Sequence, residues 1–165
     1  MHVKTAPSGY SRLQIGLHWL VFVLIAQQYL FKDAISAAWD RVTNGMEIGF
    51  DPLVLSHIAG GALVLLFALW RLSLRARRGV PEAIEANKLQ GALSKLTHFG
   101  LYALMILMPM SGSVAWFGGV EAAAQGHNVM KIVLLALVAL HVAGAFYHHF
   151  VLRDGTLARM RQAKG

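Results

Sequence analysis

His127 and His141 stand fourteen residues apart at the start of and within one long apolar stretch, and His18 and His57 sit a few residues inside two others. A fourteen-residue step is close to four helical turns. The two imidazoles therefore share one helix face, about 21 Å apart along the axis. An imidazole is costly inside a bilayer unless it has a partner, so each of the four is a candidate site residue. Neutral imidazole nitrogen is also a common metal ligand. Four such groups at two depths form the pattern of two stacked bis-histidine haem sites.

The elements that must position them follow from composition. The chain has 165 residues, of which 56% are hydrophobic and only 14% charged, and its mean hydropathy is +0.53. A soluble domain of this size carries roughly a quarter charged residues. The expectation is an all-α membrane protein, residues 1–165 forming one membrane domain. Four apolar runs, about 13–31, 53–74, 96–117 and 129–152, are each near the roughly 20 residues that cross a hydrocarbon core. The segments between them, including 32–52, read as loops. The first run is longer than the apolar core of a signal peptide, which argues against cleavage after Ser36-Ala37-Ala38. No cysteine is present. That removes iron–sulfur clusters, thiolate ligation and covalent haem attachment, so any haem must be noncovalent.

Charge orients the four expected spans. Lys4, Arg12, Arg71, Arg75, Arg77, Arg78, Lys88, Lys95, Arg153, Arg159, Arg161 and Lys164 fall on the side of the termini, against Lys32, Arg41 and Lys131 on the other. Twelve against three places both termini in the cytoplasm. The net charge of +7 then faces anionic lipid headgroups, so no nucleic-acid partner is needed to explain it.

With that orientation, depth pairs His57 with His127 near the outer face and His18 with His141 nearer the cytoplasm. Each pair draws on two helices, as cofactor sites in bundle cores do. His148 and His149 compete with His141. An iron spacing from His127 to His148 would be about 31 Å, the whole thickness of the hydrocarbon core. That ground favours His141 and leaves His148 or His149 at the cytoplasmic interface. Zinc is a competing reading, but two separated histidine pairs without nearby carboxylates suit haem better. A lone intramembrane histidine is often a hydrogen-bonded core residue, and His98 is read that way; His2 is terminal and read as solvated.

Other residues carry two readings each. Arg12 and Arg71 fit haem propionates or a quinone headgroup, while Arg75 fits snorkelling to lipid. Gly16, Gly60, Gly61, Ala62 and Gly144 would let a flat macrocycle approach a helix, or would serve ordinary packing through small residues. Pro109 should kink or end the third span. The tryptophans fit interfacial belts or packing around a cofactor.

Ser11-Arg12-Leu13-Gln14-Ile15-Gly16-Leu17-His18-Trp19 resembles the opening of the prokaryotic cytochrome b561 family. So do Ser56-His57 with its glycines, His98-x-x-Leu101-Tyr102 leading to Pro109-Met110-Ser111-Gly112, and Leu140-His141 followed by His148-His149-Phe150. Met110 stands where leucine or valine is usual. The resemblance implies a transmembrane four-helix bundle with two noncovalent b haems, ligated by His18, His57, His127 and His141. It also implies quinone reduction in the bacterial inner membrane, with superoxide as donor in some members and His148 near the quinone.

The first functional reading is therefore electron transfer from superoxide to ubiquinone. Ser11, Arg12, Arg71 and His148 would share the cytoplasmic interfacial layer where quinone binds. The outer side carries three basic residues against Asp33, Asp40, Glu47, Asp51 and Glu121, a net −2 that does not favour an anionic donor. The second reading is a membrane-anchor cytochrome that passes electrons between a redox partner protein and quinone.

Overall fold

The computed structural model describes residues 7–82, 84 and 87–164; His2, Lys4 and Gly165 lie outside them. Helix α1 spans Arg12–Leu30, α2 Lys32–Thr43, α3 Pro52–Arg78, α4 Lys88–Gly118 and α5 Glu121–Phe146. A π-helical turn, Tyr147–Leu152, continues α5, and a short 3-10 turn covers Ala158–Met160. The described residues contain no strand. Four helices are long and apolar enough to cross a membrane: α1, α3, α4 and α5 with its π turn.

Helices α3, α4 and α5 outrun the apolar runs because hydropathy reads lipid contact, whereas caps decide where hydrogen bonding stops. Ser11 and Gln14 form a capping box that opens α1. Asp51 Oδ1 accepts the Leu53 N–H at 2.8 Å, with Pro52 at the first helical position of α3. Asn87 Oδ1 accepts the Gln90 N–H at 2.9 Å and starts α4 eight residues before its apolar run. At the other ends, Gly79 (φ +80°) and Gly119 (φ +65°) adopt conformations that only glycine takes readily. The last turn of α3 holds Arg75, Arg77 and Arg78, the cations that complement the negative end of its dipole.

One expectation needs correction, and of the two alternatives for Pro109 one is excluded. The segment 32–52 is not all loop, since α2 is a twelve-residue helix. Ile35, Ala38 and Val42 recur at helical spacing and give it one apolar side; Ala38 is buried against the bundle, which α2 meets through α3. Pro109 does not end its span: α4 continues nine residues beyond it. Neighbouring helices re-satisfy backbone groups that proline frees in membrane helices.

Packing is uneven. Helix α4 packs closely on α5, α3 packs on α1 and α4, and α5 meets α1 and α3 only sparsely, Tyr29 Oη donating to the Lys131 carbonyl at 2.6 Å. No large side chain is fully buried among the described residues. The tightest layer is small: Val21, Val64, Ala68 and Met105, with Leu24, Ile25, Phe67 and Tyr102 against it. That layer lies midway along the spans. On α1 it follows His18 by one turn, and on α3 it falls between His57 and Arg71. Outside it, large apolar side chains face outward; Ile132 is 69% and Leu96 67% exposed. An apolar exterior around a loosely filled interior is what a lipid-solvated bundle with internal cofactor space requires.

Candidate haem sites

The gaps beside α5 are bridged by histidines. His57 from α3 and His127 from α5 face each other with ring centres 6.4 Å apart. His18 from α1 and His141 from α5 do the same at 6.1 Å. The structure thus brings together both pairs that depth had matched, one on each side of the Val21–Met105 layer. Nitrogen–metal bonds of about 2.0–2.1 Å, with roughly 1.1 Å more from nitrogen to ring centre, put two axial imidazoles on one metal about 6.3 Å apart. Both separations match that span. No group of three or more histidine and carboxylate side chains converges on a metal-sized point among the described residues, as a structural zinc site would need.

The outer pair opens into a cleft of about 240 Å³. Its inner wall includes Gly61, Ala62, Met108 and Gly112, and its mouth carries Lys32, Trp39, Asp40, Asn128 and Lys131. The proline-containing turn of α4 holds His127. Its Nδ1 lies 3.0 Å from the Met108 carbonyl and 3.2 Å from Ser111 Oγ, and Ser111 itself donates to the same carbonyl at 2.9 Å. With Nδ1–H donated to that carbonyl, Nε2 is left free, the arrangement that orients metal-binding histidines. Gly112 completes the seat: a Cβ there would come within 3.2 Å of the His127 ring.

The inner pair is more closely surrounded. His98 packs edge-on against His141 at 5.1 Å, with its Nδ1 2.7 Å from the Ser94 carbonyl. The hydrogen-bonding role expected for His98 is thus present, and the ring also touches a site residue. Arg71 is within electrostatic reach of both His18 and His141, and its guanidinium lies 5.9 Å from the centre of the Tyr102 ring.

Two features fit these spaces to a haem. First, a buried polar atom without a partner costs about 1–3 kcal/mol. Of the three such side-chain atoms among the described residues, Arg71 Nε lies at the inner site. An acidic group at the inner site, such as a propionate, would satisfy it. Second, a Cβ built on Gly61, which lines the outer cleft, would meet open space. Gly60 behaves differently: a Cβ there would strike Gln28 Nε2 at 2.2 Å. It serves helix packing, and the macrocycle reading does not hold for it.

The remaining expected site residues are dispersed. Ser11 is buried, and its hydroxyl accepts the Gln14 N–H at 3.2 Å. Arg12 is exposed. His149 is exposed and packs on Phe150, whereas His148 turns to Asp154, with Nδ1 2.5 Å from Oδ2. Sequence reasoning missed α2 as part of the outer mouth. It also missed Met108 and Ser111 behind His127, and the chain Gln28–Gln27–Ser56 that ties α1 to α3 at 2.8 and 2.7 Å. Two adjacent glutamines inside an apolar run were the available signal, since such groups need partners in lipid.

Comparison with known proteins gives the family. A family model for prokaryotic cytochrome b561 matches residues 9–163. "Cytochrome b562" of Cereibacter sphaeroides is 34% identical over 162 residues, covering 97% of this chain and 99% of its own. "Probable superoxide oxidase CybB" of Yersinia pestis is 28% identical, covering 99% of each chain. "Cytochrome b561 homolog 1" of Escherichia coli is 23% identical, covering 92% of this chain and 96% of its own. With four apolar helices and two facing histidine pairs, the chain belongs to the prokaryotic cytochrome b561 family, membrane cytochromes that carry b-type haem.

Proposed function

We propose that this chain is a dihaem oxidoreductase that carries electrons across the membrane to ubiquinone, with superoxide as donor. The observation that carries the reading is the pair of histidine pairs, 6.4 and 6.1 Å between ring centres, stacked along α5. Haem held by His57 and His127, and by His18 and His141, supplies two one-electron couples. The protein's part would be to hold each haem between its two histidines, keep the Val21–Met105 layer between them dry, and offer a donor site outside and a quinone site inside. Axial histidine identity, hydrogen bonding behind it and burial are the levers that set such couples.

The outer mouth supports an anionic donor better than the side as a whole does. Lys32 and Lys131 line the cleft beside the histidines, with Asp40 as the acidic lining residue. Lys131 Nζ is bonded to neutral Asn128 at 2.9 Å, while Lys32 is paired with Asp33. Lys131 is thus the lining cation bonded to a neutral group, and positive charge at the mouth raises capture of an anion. The name of the Yersinia relative supports the same donor. At the inner side, Arg71 and His148 are the groups offered for quinone, with Ser11 and Arg12 at the start of α1. The net −2 of the outer side favours the second reading, in which a cationic redox protein docks there and donates instead.

The experiment is a single reaction: purified chain, ubiquinone and a superoxide-generating system. Quinol should form and superoxide disappear in step, and Lys131→Glu should slow capture by about tenfold or more, an effect that salt weakens. No quinol formation without an added protein partner would replace this reading with the second. The same account places both termini in the cytoplasm of a bacterial inner membrane. A reporter fused after Gly165 should be active only on the cytoplasmic side; periplasmic activity would invert every inner and outer label used here.

A further inference from the structure

Helix α5 changes character as it leaves the membrane. The π turn at Tyr147–Leu152 gives way to Arg153, the described non-glycine residue with positive φ (+53°), and the chain reverses. A non-glycine residue in the left-handed region costs energy and persists where surrounding contacts hold it. Here those contacts centre on Asp154. Its Oδ1 accepts the Thr156 N–H at 2.9 Å, and its Oδ2 meets His148 Nδ1 at 2.5 Å. Both side chains are largely buried, 20% exposed for His148 and 12% for Asp154. π turns in α-helices are frequent at functional sites.

The rest of the tail is tied down as well. Trp19 Nε1 donates to the Met160 carbonyl at 2.9 Å, Arg159 to the Glu82 carbonyl at 2.7 Å, and Lys164 N–H to the Tyr10 carbonyl at 3.2 Å. The turn that carries Asp154 is therefore anchored at both ends. Partial burial raises the Asp154 pKa, but hydrogen bonds from Thr156 and His148 outweigh it and hold the carboxyl below its usual range.

We infer that Asp154 is the positioning residue of the quinone site: its carboxylate takes the Nδ1–H of His148 and leaves Nε2 as the nitrogen that exchanges protons with quinone. This inference rests on the quinone reading of His148. Reduction to quinol takes two electrons, which haem bound at the two histidine pairs would supply one at a time, and two protons. In the imidazolium form Nδ1–H remains on Asp154, and Nε2–H breaks as a new O–H bond forms on the reduced quinone oxygen. The neutral ring then regains its Nε2 proton from cytoplasmic water, and a second transfer completes the quinol. An aspartate fixing a histidine tautomer is a general device for acid–base work.

The test compares Asp154→Asn, His148→Leu and the double variant, using water-soluble ubiquinone and chemically reduced haem in the full-length protein. Haem content, optical spectra and midpoint potentials of Asp154→Asn should equal those of the unmodified chain. Quinol formation should fall about 10–100-fold in kcat with little change in KM. Adding Asp154→Asn to His148→Leu should cost nothing further, because the carboxylate acts only through the ring. Asp154→Glu should restore part of the rate. Haem loss in Asp154→Asn, or costs that multiply in the double variant, would make the residue structural and overturn the inference. A slow His148→Leu with a normal Asp154→Asn would overturn it while leaving the quinone assignment standing. A normal His148→Leu would remove that assignment itself, and the inference with it.

Discussion

Replacing His127 with alanine should halve the haem bound per chain, from two to one, and leave the inner site intact. The cause is local. His57 and His127 come from helices that pack on each other only sparsely, so a haem at the outer site would be held by two side chains across a gap. Removing one leaves a macrocycle with a single protein ligand and an open cleft through which to leave. His57→Ala should do the same, and His18→Ala or His141→Ala should remove the other haem. The midplane layer of Val21, Val64, Ala68 and Met105 separates the two sites, which is why each loss should be independent. Ser111→Ala is the graded control. It removes a hydroxyl behind His127 but leaves the Met108 carbonyl, so it should weaken outer haem retention by no more than about 10–100-fold. Extraction and pyridine haemochrome spectra measure all of these. Equal loss of both haems in His127→Ala would show one cooperative site in place of two.

His148→Leu should separate haem reduction from quinone reduction. The variant keeps both histidine pairs, and its spectra should match those of the unmodified chain. Haem reduction by the donor should stay fast, because the outer cleft is at the far end of α5. Electron transfer onward to quinone should slow by at least about a hundredfold, the usual contribution of a positioned general acid. Stopped-flow spectra would show reduced haem accumulating. If the variant loses a haem instead, His148 rather than His141 is the inner ligand. The 6.1 Å approach of His18 to His141 and the pairing of His148 with Asp154 argue for His141.

Much of this was legible in the sequence because a bilayer imposes simple rules. Four apolar runs gave the four spans. A fourteen-residue step on one helix gave two histidines on one face, and depth alone matched them to partners on two other helices. Other features depended on information that hydropathy does not carry. Helix α2 is half polar and short, so its Ile35–Ala38–Val42 side is hidden among charges, and its place over the outer mouth exists only once the bundle forms. The carbonyl of Met108 as the partner of His127 is invisible in sequence, because every residue has a carbonyl. The roles of the glycines were undecidable until neighbours were known: Gly61 and Gly144 face open space, whereas Gly60 faces Gln28. The His148–Asp154 pair was also missed, since an α-helical register for His148 ignores the π turn and chain reversal that bring Asp154 back to it.

The central claim is that this one chain holds two haems between two histidine pairs. It is tested most directly by haem quantification of the purified, unmodified protein together with a dithionite-reduced minus air-oxidised spectrum. The account expects two noncovalent b haems per chain, both low-spin with two histidine ligands. One haem per chain, or a high-spin spectrum at either site, would contradict it.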